Sequence, residues 1–150
     1  MKAGRGFARA IRTAGTITMN STAWANTSTT LDLTLAASTG DVISAQMNAI
    51  SGAEAVNACH NFWFVASGVG FSTRNANTDR GLAGLVHIAS RNDSLTGGAS
   101  KTVATADISG GNVITRLKHR TLTAANRTIL GTTSQPLLFE ARNHGPHVAP

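Results

Sequence analysis

The sequence predicts an all-β fold: a single β-sandwich, jelly-roll-like, of about eight strands, with an extended basic arm at its N-terminus. Three observations predict it. Apolar residues arrive in short clusters, several with a period of two, and turn residues separate them every 8 to 15 positions. No long amphipathic helical pattern competes with them. At 150 residues with a hydrophobic fraction of 41%, the chain has enough apolar side chains for one core. The expected organisation is an arm over 1–14, a sandwich domain over 15–142 and a C-terminal tail over 143–150.

The arm is defined by charge. Lys2, Arg5, Arg9 and Arg12 fall within the first twelve positions, and no acid precedes Asp32. It lacks the apolar core of a secretory signal, and no stretch of the chain is apolar for the ~18 residues a spanning helix needs, so no membrane partner is expected. The first strand is read at Gly15–Met19, where Ile17 and Met19 alternate with Thr16 and Thr18. After a polar stretch around Trp24, Leu31, Leu33 and Leu35 alternate with Asp32 and Thr34, a half-buried strand pattern. Ser38–Gly40 makes a turn, and Asp41–Ala49 resumes before a break at Ser51 and Gly52. The run Phe62–Val65 is too short for a helix and too aromatic for a loop, which predicts a central strand buried on both faces.

Thr73–Arg80 is read as a polar loop, Leu82–Ile88 as a strand, and Arg91–Lys101, with Asn92, Asp93, Gly97 and Gly98, as an exposed connection. Val103–Ile108 is then expected to pair with Val113–Thr123 through Gly110, Gly111 and Asn112, a hairpin signal. Within the second of these strands Val113, Thr115, Leu117, His119 and Thr121 share one face. Ile114, Arg116, Lys118 and Arg120 share the other, which is basic. Short strands follow at Thr128–Leu130 and Leu137–Ala141, and the Pro- and Gly-bearing tail from Asn143 is not expected to continue a ladder.

Composition narrows the function classes. Charged residues are only 13% of the chain, so the surface is largely Thr, Ala, Ser and Asn, which is easier to bury against a neighbour than one of Lys and Glu. Cys59 stands alone, which excludes an intrachain disulfide and a cysteine-based zinc site. The five histidines, at 60, 87, 119, 144 and 147, do not show metal-ligand spacing. Neither a nucleophile elbow nor a P-loop occurs. Asp32, Asp41 and Asp107 sit beside strands or turns, where capping is the ordinary role. The sequence therefore predicts no catalytic residue, no cofactor and no metal. Its surplus of cations, a net +6, raises nucleic acid as a partner, but the basic strand face carries no aromatic on which bases would stack, and nucleic acid is not expected.

The stretch NVITRLKHRT at Asn112–Thr121, with NRTILG at Asn126–Gly131 and FEARNHGP at Phe139–Pro146, resembles the end of jelly-roll domains in virion structural proteins of tailed bacteriophages, capsid decoration and tail-associated proteins among them. The resemblance covers about the last third of the chain and carries no catalytic residue. It implies a virion protein that forms a homo-oligomer, a trimer being a common arrangement, and attaches to other structural proteins on a capsid or tail surface. The residues expected to make assembly contacts are Arg5, Phe7, Arg9 and Arg12 of the arm and Arg116, Lys118 and Arg120 of the basic strand. A tail or fibre protein that binds host glycans through Thr73–Arg80 and Arg91–Lys101 is the alternative, and a nucleic-acid-binding protein using the arm is the second.

Overall fold

Alternation is what shapes the chain. The computed structural model describes residues 6–53, 59–66, 83–86, 92–121 and 127–146. Among them are eleven strands: β1 (Phe7–Arg12), β2 (Thr16–Met19), β3 (Ala25–Asn26), β4 (Leu33–Ala36), β5 (Asp41–Ala53), β6 (Cys59–Ala66), β7 (Ala83–Val86), β8 (Asn92–Thr102), β9 (Asn112–Thr121), β10 (Arg127–Leu130) and β11 (Leu137–Pro146). Two single 3-10 turns, Thr29–Leu31 and Thr105–Asp107, are the helical structure there, so the fold is all-β.

Every strand pairing is antiparallel, and the strands form two sheets. In the first, β5 is the axis. One edge of β5 pairs residue for residue with β8, from Val42↔Thr102 to Gly52↔Asn92. Its other edge pairs with β11 and then β10, which carry β1 and β2 beyond them. In the second sheet β9 lies between β6 on one edge and β3 and β4 on the other, with β7 beyond β6.

A single hydrophobic cluster draws on both sheets. Ile43 and Met47 of β5, Ile129 of β10, and Leu137 and Phe139 of β11 meet Leu33 and Leu35 of β4 and Val113 and Leu117 of β9. Each of these is fully or almost fully buried, and each contributes about 1.5–3 kcal/mol of transfer free energy. Along β9 the burial alternates from Val113 to Thr121 as the sequence predicts, with Arg116, Lys118 and Arg120 on the outward side.

Four expectations are corrected. Residues 7–12 of the expected arm are β1, an integral strand: Ala8 and Ala10 are small enough to lie inward against the core, while Phe7, Arg9 and Ile11 face out. The tail does continue a ladder, since β11 pairs with β5 through Asn143. It resumes at Pro146↔Asp41 after a register irregularity, and a proline is tolerated at a strand's last position. Residues 92–101, read as a connection, belong to β8. Leu95 is buried while Ser94, Thr96, Gly98 and Ser100 are exposed, and the small inward Gly97 and Ala99 hide the alternation.

The fourth correction concerns 103–108, which turns rather than pairing with β9. Asp107 Oδ2 accepts the Ala104 N–H at 2.9 Å and so bends the backbone into a 3-10 turn. The hairpin itself shrinks to the bridge Ser109↔Asn112. Gly110 and Gly111 both have positive φ, 57° and 76°, the conformation a tight turn of this hand requires. Asp41 also folds a turn, accepting the Ser38 N–H at 2.9 Å. The Phe62–Val65 run lies in β6, which pairs with β9 along the whole run and with β7 over Cys59–Phe62, while its side chains and the Thr73–Arg80 loop lie outside the described residues.

Candidate interaction surface

The residues expected to make assembly contacts do not form one patch. Arg5 lies outside the described residues. Phe7 and Arg9 project from β1 on the side of the first sheet away from the core. Arg116, Lys118 and Arg120 project from β9 on the side of the second sheet away from the core. The two basic groups therefore look out from opposite sides of the molecule. Arg12, on the other face of β1 from Phe7, turns across the edge and donates to Thr30 Oγ1 at 3.4 Å.

On the second sheet the basic strand is partly neutralised. The Arg116 fork donates three hydrogen bonds to Asp32, at 2.6, 3.0 and 3.1 Å, and these raise the guanidinium pKa further above its ordinary value. Lys118 is pushed the other way, first by desolvation and then by the charge of Arg116. An exposed, uniform row of cations for tracking a phosphate backbone is not what this arrangement offers.

The first sheet carries the more developed surface. Phe7 is 51% exposed and Ile11 49% exposed, both unusual for their size. Register places Phe7 opposite Arg142 of β11, and Arg142 opposite Ser44 of β5. The Arg142 guanidinium carbon lies 5.5 Å from the Phe7 ring centre, and that of Arg9 lies 6.0 Å from it. Arg9 also reaches Glu140 at 3.7 Å. Next along β11, His144 Nε2 is 2.7 Å from Ser44 Oγ. Phe7, Ser44, Gln46, Glu140, Arg142 and His144 line a shallow depression of about 250 Å³. A second, of about 380 Å³, adjoins it over Phe7, Arg142 and His144 and reaches Gly6 and Asn143.

Of these groups, sequence reasoning singled out Phe7 and Arg9. Glu140, Arg142 and His144 share a face by simple alternation and become visible once the strand is carried past Ala141. Nothing local links Ser44 to His144, a hundred residues away. The Ser44–His144 contact has the distance of a nucleophile and its base, but strand geometry withholds the rest of such a site. β5 is paired on both edges around Ser44, with Ser100 and Arg142, so its backbone N–H groups serve ladders rather than an oxyanion hole. Among the described residues, no three His, Cys, Asp or Glu side chains gather as metal ligands do.

Beneath the second depression a polar node replaces core packing. Asp41 and Asn143 are 2% and 1% exposed. Asn143 Nδ2 donates to Asp41 Oδ2 and to the Ala36 carbonyl, both at 2.8 Å, and its Oδ1 accepts the Gly145 N–H at 2.8 Å. The Asn143 N–H donates to the Gly6 carbonyl at 2.8 Å, tying the start of β1 to the same point. This node fixes the floor under Arg142 and His144.

A third feature lies inside the body. His119 is 4% exposed, its Nδ1 is 3.3 Å from Thr27 Oγ1, and among the described residues its Nε2 finds no hydrogen-bond partner. Desolvation lowers its pKa, so the folded chain favours the neutral ring. In the unfolded chain the imidazole takes up its proton near pH 6.5. The stability it contributes is thus complete above that pH and is lost as pH falls through the lower, folded value. The expected outcome is a melting temperature that falls between pH 7 and pH 5 more steeply in the natural chain than in His119→Gln. Equal slopes would place the acid sensitivity elsewhere.

No family model, curated protein or solved structure matches the chain.

Proposed function

We propose that the protein is a structural subunit of a bacteriophage particle: a jelly-roll-like β-sandwich that associates with its own copies and attaches to other virion proteins. The single observation that carries this reading is the β8 edge. It is eleven residues long, pairs with β5 without a bulge, and bears no charge and no proline from Ser94 to Ser100. No other described strand pairs with it. Long flat edges of this kind template further pairing, and proteins that stay apart usually blunt them with charge, proline or a bulge. A second copy adding its own strand at this edge is the simplest cover, and the uncharged Ser and Thr side chains beside it bring no like-charge repulsion.

Charge supports a different kind of neighbour for the rest of the surface. The four acids whose side chains are described are all engaged within the chain. Asp32 holds Arg116, Asp107 holds Lys101, Glu140 meets Arg9, and Asp41 lies in the buried node. Arg142 is exposed with none of these acids beside it, and a net charge of +6 suits attachment to acidic proteins of a shell or tail and steers the encounter. Enzymatic activity forms no part of this reading.

The test is the oligomeric state. Light scattering on the purified chain is expected to give a multiple of the single-chain mass. The double substitution Thr96→Lys, Ser100→Lys places like charges on the exposed side of β8, and is expected to shift that mass to one chain while circular dichroism stays β-type. A natural chain that remains a single subunit at tens of micromolar would end the proposal.

A further inference from the structure

The paired depressions over Phe7 and Arg142 have a chemistry that self-association does not use. They lie over β1, β11 and β5, and the free edge of β8 is on the far side of that strand from β5, so edge pairing through β8 leaves them open. Their lining is mixed. Arg142 is exposed and, among the described residues, makes no ion pair; its one contact of note is the Phe7 ring. Gln46 offers an amide. The Ser44–His144 pair always presents an outward proton, because whichever of Oγ and Nε2 donates within the pair, either the imidazole Nδ1–H or the serine O–H is left to donate outward. Glu140 is an acceptor already balanced by Arg9.

A ligand that satisfies all of these carries three things: an anionic group for Arg142, hydroxyls that donate to Glu140 while accepting from Gln46 and His144, and an apolar face for Phe7. A bare sulfate or acetate leaves Glu140 and Phe7 unused. A polyphosphate brings several negative charges against Glu140. We infer that this surface is a binding site for an acidic saccharide, with the sugar carboxylate on Arg142 and a ring face on Phe7. At about 250 and 380 Å³ each depression suits one ring, and the two adjoin at Arg142, so a short acidic glycan spans both. The site is distinct from the loops in which the sequence suggested glycan contacts.

The experiment is a titration of the natural, assembled protein with sodium glucuronate, followed by amide chemical shifts at constant ionic strength. Glucose, sodium acetate and sodium sulfate are run as comparators. Saturable binding with a dissociation constant on the order of millimolar is expected, the range one ring reaches on a shallow site. The shifts should centre on residues 7–9, 44–46 and 140–144. Arg142→Gln is expected to weaken glucuronate about tenfold and Phe7→Ala severalfold; both side chains are exposed, so neither change disturbs the core. Acetate or sulfate binding as tightly as glucuronate would overturn the saccharide assignment. Glucose binding as tightly would overturn the role of Arg142, as would an unchanged affinity in Arg142→Gln. The Thr96→Lys chain, substituted opposite Asn48 rather than opposite a lining residue, should bind glucuronate normally even if assembly is lost, which separates failure of this site from failure of the assembly reading.

Discussion

Gly131→Ala is expected to destabilise the protein by about 3 kcal/mol or more, a drop of roughly 10 °C in melting temperature for a chain of this size. Gly131 follows β10 and is buried where three stretches of backbone converge. A Cβ there would fall on the carbonyl oxygen of Arg12 and on the amide nitrogen of Leu137. These are backbone atoms, and Arg12 and Leu137 are themselves paired across β1 and β11, so neither can swing aside as a flexible side chain would. Relief requires β1 to separate from β11 or the 131–136 turn to lift away. Thermal or urea unfolding measures the effect, and proteolysis between residues 6 and 15 should accelerate if β1 is the part that yields. A loss under 1 kcal/mol would mean that the three backbones do not approach as closely as described.

Asn143→Ala is expected to cost about 3 to 4 kcal/mol. The substitution removes three hydrogen bonds at once, two of them buried and one part-buried; it leaves the Gly145 N–H without its partner, strips the Ala36 carbonyl of its amide donor and leaves Asp41 Oδ2 with the Ser38 N–H alone. Each buried group left unsatisfied costs about 1–3 kcal/mol, and the sum is reduced because the site can relax. Asn143→Asp should be no better, since it sets a second carboxylate against Asp41. Asn143→Ala should also weaken glucuronate binding, because Arg142 and His144 flank the same residue on β11. A mild stability change with normal binding would indicate that water replaces the asparagine without loss.

Where strands run between two environments, the sequence announces them. Leu33 and Leu35 of β4 and the Val113–Thr121 alternation of β9 are legible because apolar residues line one face and polar ones the other. The β8 strand is not legible, because Gly97 and Ala99 fill its inward positions and small residues carry almost no periodic signal. The last third of β11 is hidden differently. Asn143 is buried although polar, which breaks the hydrophobic pattern, and the reason is a hydrogen-bond partner at Asp41 that only the fold supplies. Asp107 shows the same limit from the other side. Val103 and Ile108 look like strand residues, yet one carboxylate captures the Ala104 N–H and bends the segment away.

The candidate surface follows this pattern. Phe7 and Arg9 were visible as an apolar and a basic residue near the start of the chain, but their neighbours come from β5 and β11 and were assembled by pairing alone. The basic residues of β9 are legible too, as is the outward face they share. Their distance from Phe7 is not, since charge counts carry no information about which side of a two-sheet body a residue occupies.

The pairing of β1 with β11 also orders events during synthesis. At roughly 5–20 residues per second, Phe7–Arg12 leaves the ribosome on the order of ten seconds before the strand it pairs with exists. Through that wait the earliest segment of the body has no hydrogen-bonding neighbour. The surface carrying Phe7 and Arg142 is consequently completed only when the last described strand arrives.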